Sequence, residues 1–188
     1  MKTKKEIRAD ALKRRDALSD EERGVKSLVI CERVMDDDRF IDADGIHVYF
    51  PINSEVDIKP LISMAWEMGK EVGIMRIEED GGTSHHHITA ETEYTTGSLG
   101  IQQPTNAKSY DMDLCDLVIV PLVAADPKCR RIGYGKGYYD QFLTHFPRPT
   151  LGVAFDVQIF DEVPTDPLDI TLDRIVTETR AFDCDGKP

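Results

Sequence analysis

The run Asp116-Leu-Val-Ile-Val-Pro121 places four apolar residues in a row, three of them β-branched, with no polar residue between them. A strand with one wet face alternates apolar and polar residues. A continuous apolar run is the pattern of a strand covered on both faces, as in parallel sheets flanked by helices. Working outward, residues 45–50 (GIHVYF), 71–76 (EVGIMR), 150–155 (TLGVAF) and 173–178 (DRIVTE) read as further strands, and residues 88–94 as an edge strand. Helical stretches fall between them. Ile7, Ala11 and Leu18 share a stripe of a first helix. Ser19 and Glu22 form a capping box that opens a second helix carrying Val25, Leu28, Val29 and Val34. Residues 57–68 read as a third, with Pro60 in its first turn, and 138–145 as a fourth. Strands alternating with helices predict an α/β fold, a three-layer α/β sandwich around a largely parallel sheet, in one domain over residues 1–188.

The 188 residues are 40% hydrophobic and 31% charged, a globular balance, with a formal net charge of −12. Nucleic-acid binding surfaces are basic, so the acidic total argues against that class, although a small basic pocket stays compatible with it. No apolar run is long enough to span a bilayer, and the basic first fifteen residues lack a signal-peptide core. The expectation is a cytoplasmic protein. Cys31, Cys115, Cys129 and Cys184 are scattered, without zinc spacing, and are expected as reduced structural thiols. Residues 184–188 read as a frayed tail.

Residues 131–143, RIGYGKGYYDQFL, form the densest glycine stretch. It is not a Walker loop, because Lys136 is followed by Gly137 rather than Ser or Thr. It is not a dinucleotide fingerprint either, because Tyr138 stands where the third glycine belongs. It still has the makings of an anion cradle. Gly133, Gly135 and Gly137 let backbone N–H groups converge on one oxyanion, and the run leads into a helix N-terminus. Arg131 and Lys136 would add charge-assisted hydrogen bonds, and Asp140 could hold a magnesium ion against phosphates. A glycine-rich turn before a helix is also a common structural device, and Asp140 could merely complement the helix dipole. The stretch alone leaves both readings open.

RIGYGKGYYD, residues 131–140, closely resembles the signature of the 5-formyltetrahydrofolate cyclo-ligase (methenyltetrahydrofolate synthetase) family. Residues 4–8 (KKEIR), 51–57 (PINSEVD), 100–104 (GIQQP) and 172–178 (LDRIVTE) resemble further blocks of that family, in the same order along nearly the whole chain. The resemblance implies a three-layer α/β sandwich. It implies a ligase that cyclises 5-formyltetrahydrofolate to 5,10-methenyltetrahydrofolate at the expense of ATP, with magnesium, as a part of one-carbon metabolism. It implies that ATP contacts Lys4, Arg8, Arg131, Ile132, Gly133, Tyr134, Gly135, Lys136, Gly137, Tyr138 and Tyr139. Folate would face Phe50 and Glu55, with Tyr138 and Tyr139 at the boundary. Magnesium would sit on Asp140 and Asp173. Two positions depart from common family patterns: Leu168, where many bacterial members carry histidine, and Leu99, where some carry an aromatic residue.

The chemistry accounts for these residue types. The formyl oxygen becomes a leaving group only once phosphorylated, and the nucleophile, N10, already belongs to the folate. The protein must therefore position two ligands and neutralise a phosphoryl group rather than supply a nucleophile. Lys136 and Arg131 are the candidate catalytic residues, acting electrostatically. The partners expected are small molecules, folate and ATP, with no nucleic acid or membrane, and the chain is expected to be a monomer. Two other classes remain in view. One is a non-catalytic folate or nucleotide binder. The other is a sugar-phosphate isomerase or transferase, with Glu55 as the candidate base. Lys4 and Arg8, four apart, share a helix face that could equally be a solvated basic surface. His85, His86 and His87 are read as a solvated loop tip, Trp66 as core, and Asp36, Asp37 and Asp38 as a solvated helix end.

Overall fold

The computed structural model describes residues 2–97 and 101–184; Leu99 and Gly100, named above, lie outside them. Five helices are α1 (Lys4–Asp16), α2 (Asp20–Met35), α3 (Asp38–Asp42), α4 (Lys59–Glu67) and α5 (Tyr138–His145). Strands β1 (Gly45–Val48), β2 (Glu71–Ile77), β3 (Thr83–His87), β6 (Leu117–Pro121), β9 (Thr150–Val153), β10 (Arg174–Val176) and β11 (Ala181–Asp183) form a seven-stranded sheet. Its order is β11-β10-β9-β6-β1-β2-β3. Two hairpins stand apart: β4 (Tyr94–Thr96) with β5 (Gln102–Pro104), and β7 (Ala124–Ala125) with β8 (Arg131–Ile132).

The five inner strands β2, β1, β6, β9 and β10 are mutually parallel, and the edge strands β3 and β11 run antiparallel. Alternation along β6 shows why the middle strand reads as continuously apolar. Leu117 and Ile119 face a core with Ile30, Phe40, Leu61 and Ile62 from the α2–α3–α4 side. Val118 and Val120 face a second core with Phe142 and Leu143 of α5. Helices thus cover both faces, giving the three layers. α1 stands outside them, with Ile7 and Ala11 packed on Val123, Ala124 and Ile132.

Ser19 caps α2 in a reciprocal box with Glu22, and Pro60 sits in the first turn of α4. The buried stripe of α2 is Ser27, Ile30, Cys31 and Val34, whereas Val25 and Leu28 are exposed. Apolar residues cover more than one face of this helix, so composition alone misplaced the stripe. The expected edge strand at 88–94 is instead β3 at Thr83–His87, paired with β2. The histidine triplet is therefore part of the sheet and not a loop tip. Asp37 is buried as the N-cap of α3 and pairs with Arg174 of β10 at 2.6 Å. Asp37 is thus a joint between layers, whereas Asp36 and Asp38 are exposed, as expected of a solvated helix end. Trp66 is half-buried and donates to the Ile88 carbonyl at 3.1 Å. Among the described residues no helix is long and apolar enough to cross a membrane.

Cys129 and Cys184 form a disulfide, which corrects the expectation of four reduced thiols and of a frayed end at residue 184. Cys31 and Cys115 are free and buried. The pairing was hidden because the partners lie 55 residues apart in sequence and meet only when β11 closes the sheet. It ties the last strand to the turn just before Arg131. In a chain-entropy view a loop of that length contributes on the order of 4 kcal/mol. Alkylating the denatured, unreduced protein should label two cysteines and the reduced protein four, and Cys184→Ser should lower the urea midpoint. Four labels without reductant would refute the bridge.

His47 of β1 takes a core position on the α5 face. It is fully buried, its Nε2 lies 3.0 Å from Nδ1 of His85, and the rings of Phe142 and Tyr110 flank it. Burial holds both imidazoles neutral, His47 well below the ordinary value and His85 at about 4. The unfolded chain takes up protons near 6.5 that the fold cannot, so acid favours unfolding. Stability should fall as pH drops below about 6.5. The urea midpoint of the wild type should decrease from pH 7.5 to pH 5, and His85→Phe should flatten that decrease. An unchanged slope in the variant would place the titration elsewhere.

Candidate active site

The parallel strands end along one rim of the sheet. The chain leaves β1 for β2 on one side, and later returns to lay β6 on β1's other side. Where strand order reverses in this way, loops at the carboxyl ends diverge and leave a crevice. A cavity of about 690 Å³ occupies that place, lined by Val48 at the end of β1, by Tyr49 and Phe50 after it, and by Pro121 at the end of β6. Its volume lies within the usual range for small-molecule sites.

Three further segments complete the wall. The first is α1. Lys4, Arg8 and Arg15 fall at helical spacing along one side, a span of roughly 16 Å. The Lys4 ammonium pairs with Asp166 at 2.6 Å and with Asp169. Arg8 Nε donates to the Gly133 carbonyl at 2.8 Å. Arg15, 1% exposed, donates from Nε to Ser54 Oγ and from Nη2 to the Tyr134 hydroxyl, both at 2.9 Å.

The second segment is the glycine run. β8 delivers Arg131 and Ile132, and α5 begins at Tyr138. Gly135 and Gly137 have φ of +92° and +75°, a left-handed backbone that a side chain strains, and Gly137 caps α5. Arg131 is buried. Its Nη2 lies 2.9 Å from Asp140 Oδ1, and its Nη1 donates to the Ile170 carbonyl. Lys136 is exposed and makes no ion pair or hydrogen bond among the described residues.

The third segment follows β1. Glu55 is 8% exposed and its carboxylate accepts the Ile52 N–H at 2.9 Å. Burial raises its pKa, opposed by that hydrogen bond, by the Arg15 charge and by the Tyr134 hydroxyl. Phe50 meets Tyr94 edge-on, with ring centroids 4.8 Å apart. Ile74, Met75, Ile77 and Ile101 add apolar wall, and Lys4, Arg8, Arg131 and Lys136 line the same cavity.

Lys4, Arg8, Phe50, Glu55, the whole run from Arg131 to Tyr139, and Asp140 all line this one cavity. Asp173 does not. It precedes β10, level with Thr150, at the amino rim of the sheet. Its Oδ2 accepts the Thr150 N–H and hydroxyl, each at 2.8 Å. Asp140 and Asp173 are therefore not brought together. Among the described residues no group of three or more His, Cys, Asp or Glu is placed to hold a metal ion. Leu168 is 84% exposed, and nothing in the structure gives it a role. Sequence reading missed Asp166 and Asp169, which lie in a loop without a motif. It also missed Arg15, which shares the spacing of Lys4 and Arg8 but stands amid other basic residues. An alanine at Gly135 would put Cβ 3.2 Å from Arg8 Nη2 at a left-handed φ. Gly135→Ala should cost about 1–2 kcal/mol in urea unfolding, and a wild-type midpoint would show that the loop relaxes freely.

A crevice at a strand-order reversal, lined by cations and by apolar side chains, is the small-molecule site expected of an α/β enzyme. The chain belongs to the 5-formyltetrahydrofolate cyclo-ligase family, whose model matches residues 1–178, and it is a ligase of that family. It is 28% identical over 177 residues to the 5-formyltetrahydrofolate cyclo-ligase of Escherichia coli K12, covering 90% of this chain and 97% of that protein. It is 27% identical over 189 residues to the mouse cyclo-ligase, covering 93% of each. The solution structure of Aquifex aeolicus 5,10-methenyltetrahydrofolate synthetase superposes with a TM-score of 0.87 at 30% identity, over 98% of this chain and 94% of that one.

Proposed function

We propose that the chain converts 5-formyltetrahydrofolate and ATP to 5,10-methenyltetrahydrofolate, ADP and phosphate. The observation that carries this reading is the convergence of α1, the segment after β1 and the glycine run on one cavity. The cations suit a triphosphate, and Phe50 and Glu55 suit a pterin. The γ-phosphoryl group moves from ADP's oxygen to the formyl oxygen. N10 then attacks the formyl carbon, the carbon–oxygen bond breaks with phosphate leaving, and N10 gives up its proton. Intramolecular attack of this kind reaches effective molarities of about 10⁵ to 10⁸ M when well oriented, so orientation is the chief task of the walls.

The glycine run supplies backbone donors, and Lys136, which has no partner among the described residues, is the mobile cation that meets the transferring group. Arg131, locked to Asp140, fixes the loop. Magnesium commonly takes one or two carboxylates plus substrate phosphates. Asp140 fits that demand, because both hydrogen bonds to its carboxylate fall on Oδ1, which leaves Oδ2 to bind another ligand. Magnesium there would neutralise phosphate charge. Asp173, held by Thr150, is left out of this reading. Buried Glu55 would hydrogen-bond the pterin.

The test is absorbance of the methenyl product with 5-formyltetrahydrofolate and magnesium, with and without ATP. The wild type should form product only with ATP. Lys136→Ala should lower kcat by about 10²-fold. Both ligands binding without turnover would favour a non-catalytic binder, and equal rates in the variant would remove Lys136 from the reaction.

A further inference from the structure

Arg15 is a guanidinium in the last turn of α1 with almost no access to solvent. A buried charge is retained at a cost unless its neighbours satisfy it. Here the satisfaction is incomplete. Nε goes to Ser54 and Nη2 to Tyr134, while Nη1 is buried without a partner among the described residues. A long apolar side chain would fill the same place without that penalty. What it could not do is hold two hydroxyls at fixed angles on one rigid fork.

Those two hydroxyls belong to different halves of the site. Ser54 precedes Glu55 in the segment after β1, at the end read as the folate side. Ser54 is itself fixed, donating to Asp16 at the end of α1. Tyr134 is the first aromatic residue of the glycine run, at the end read as the nucleotide side. Tyr134 is 41% exposed, and the Arg15 guanidinium carbon stands 6.0 Å from its ring centroid. Arg15 thus bridges the glycine run, through Tyr134, to the segment after β1, through Ser54, the residue next to Glu55.

We infer that Arg15 is a positioning residue that couples the two halves, so that a ligand ordering the glycine run also orders Glu55 and its segment. This rests on the proposed function. Coupling of this kind is a reciprocal free energy between two sites. A side chain that merely stabilises the fold would change the melting temperature and leave that coupling alone.

The experiment measures the Kd of 5-formyltetrahydrofolate with and without a non-hydrolysable ATP analogue and magnesium. It uses the full chain as wild type, Arg15→Met and Tyr134→Phe. In the wild type the analogue should tighten folate binding by about 5-fold or more. In both variants that tightening should fall towards onefold, while Arg15→Met, at a residue that does not line the cavity, should bind each ligand alone within about 3-fold of wild type. Tyr134→Phe keeps the ring and Arg15, so it carries the test if Arg15→Met does not fold. Wild type that binds both ligands without coupling, or variants that keep the coupling, would overturn the inference alone. Wild type that binds neither ligand would overturn the proposed function and the inference with it.

Discussion

Parallel pairing of β1 with both β2 and β6 is the constraint from which the rest of the site follows. Both neighbours of β1 point the same way, so their carboxyl ends emerge on one rim. The chain reaches them by opposite routes, so nothing fills the rim above β1. A β-branched, uninterrupted β6 requires helices on both faces, and those helices raise the walls of the crevice. The segment that leaves β1 cannot continue the sheet. Tyr49 and Phe50 therefore turn across the crevice floor, and Glu55 is carried to its side. The Tyr49 hydroxyl bonds back to the Val56 carbonyl at 2.9 Å and closes this turn.

α1 is the second structural decision. It packs through Ile7 and Ala11 on the β7–β8 hairpin rather than on the main sheet. That hairpin also launches the glycine run, so α1 and the run share one platform. The helix needs only a narrow apolar face for this purpose, and the face beside it is free to carry Lys4, Arg8 and Arg15. The disulfide reinforces the same platform from the far side, because Cys129 lies in the turn between β7 and β8.

Much of this was legible in the sequence, because local patterns carried it. The apolar run of β6, the capping box of α2 and the glycine run each state their structure within ten residues. The resemblance placed Lys4, Arg8, Phe50 and Glu55, which the fold then gathers round one cavity. What stayed illegible depends on contacts distant in sequence. The His85–His87 strand exists because β2 offers an edge, and no local pattern of three histidines says so. Asp37 looks like any acid at a helix end until Arg174 arrives from β10. Asp173 resembles a ligand by motif, yet register sets it beside Thr150 at the rim opposite the crevice. Arg15 is one basic residue among four between Lys13 and Arg23 until tertiary packing buries it.

The cations of the crevice differ in freedom, and that difference sorts them. Lys4 is held by Asp166 and Asp169, Arg8 by the Gly133 carbonyl, and Arg131 by Asp140 and the Ile170 carbonyl. Each of these contacts joins one segment of the wall to another. Removing one would alter the shape of the site as well as its charge. Lys136 joins nothing among the described residues, and it sits between Gly135 and Gly137, whose backbone conformations favour an exposed tip. An electrostatic site works best when its fixed donors are organised before the charge arrives. A long, flexible ammonium on a fixed loop adds the one charge that can follow a group as it moves. In a chain with a net charge of −12, such a division also limits where an anion is welcome. In the crevice Lys4, Arg8, Arg131 and Lys136 line the space that an anion would enter.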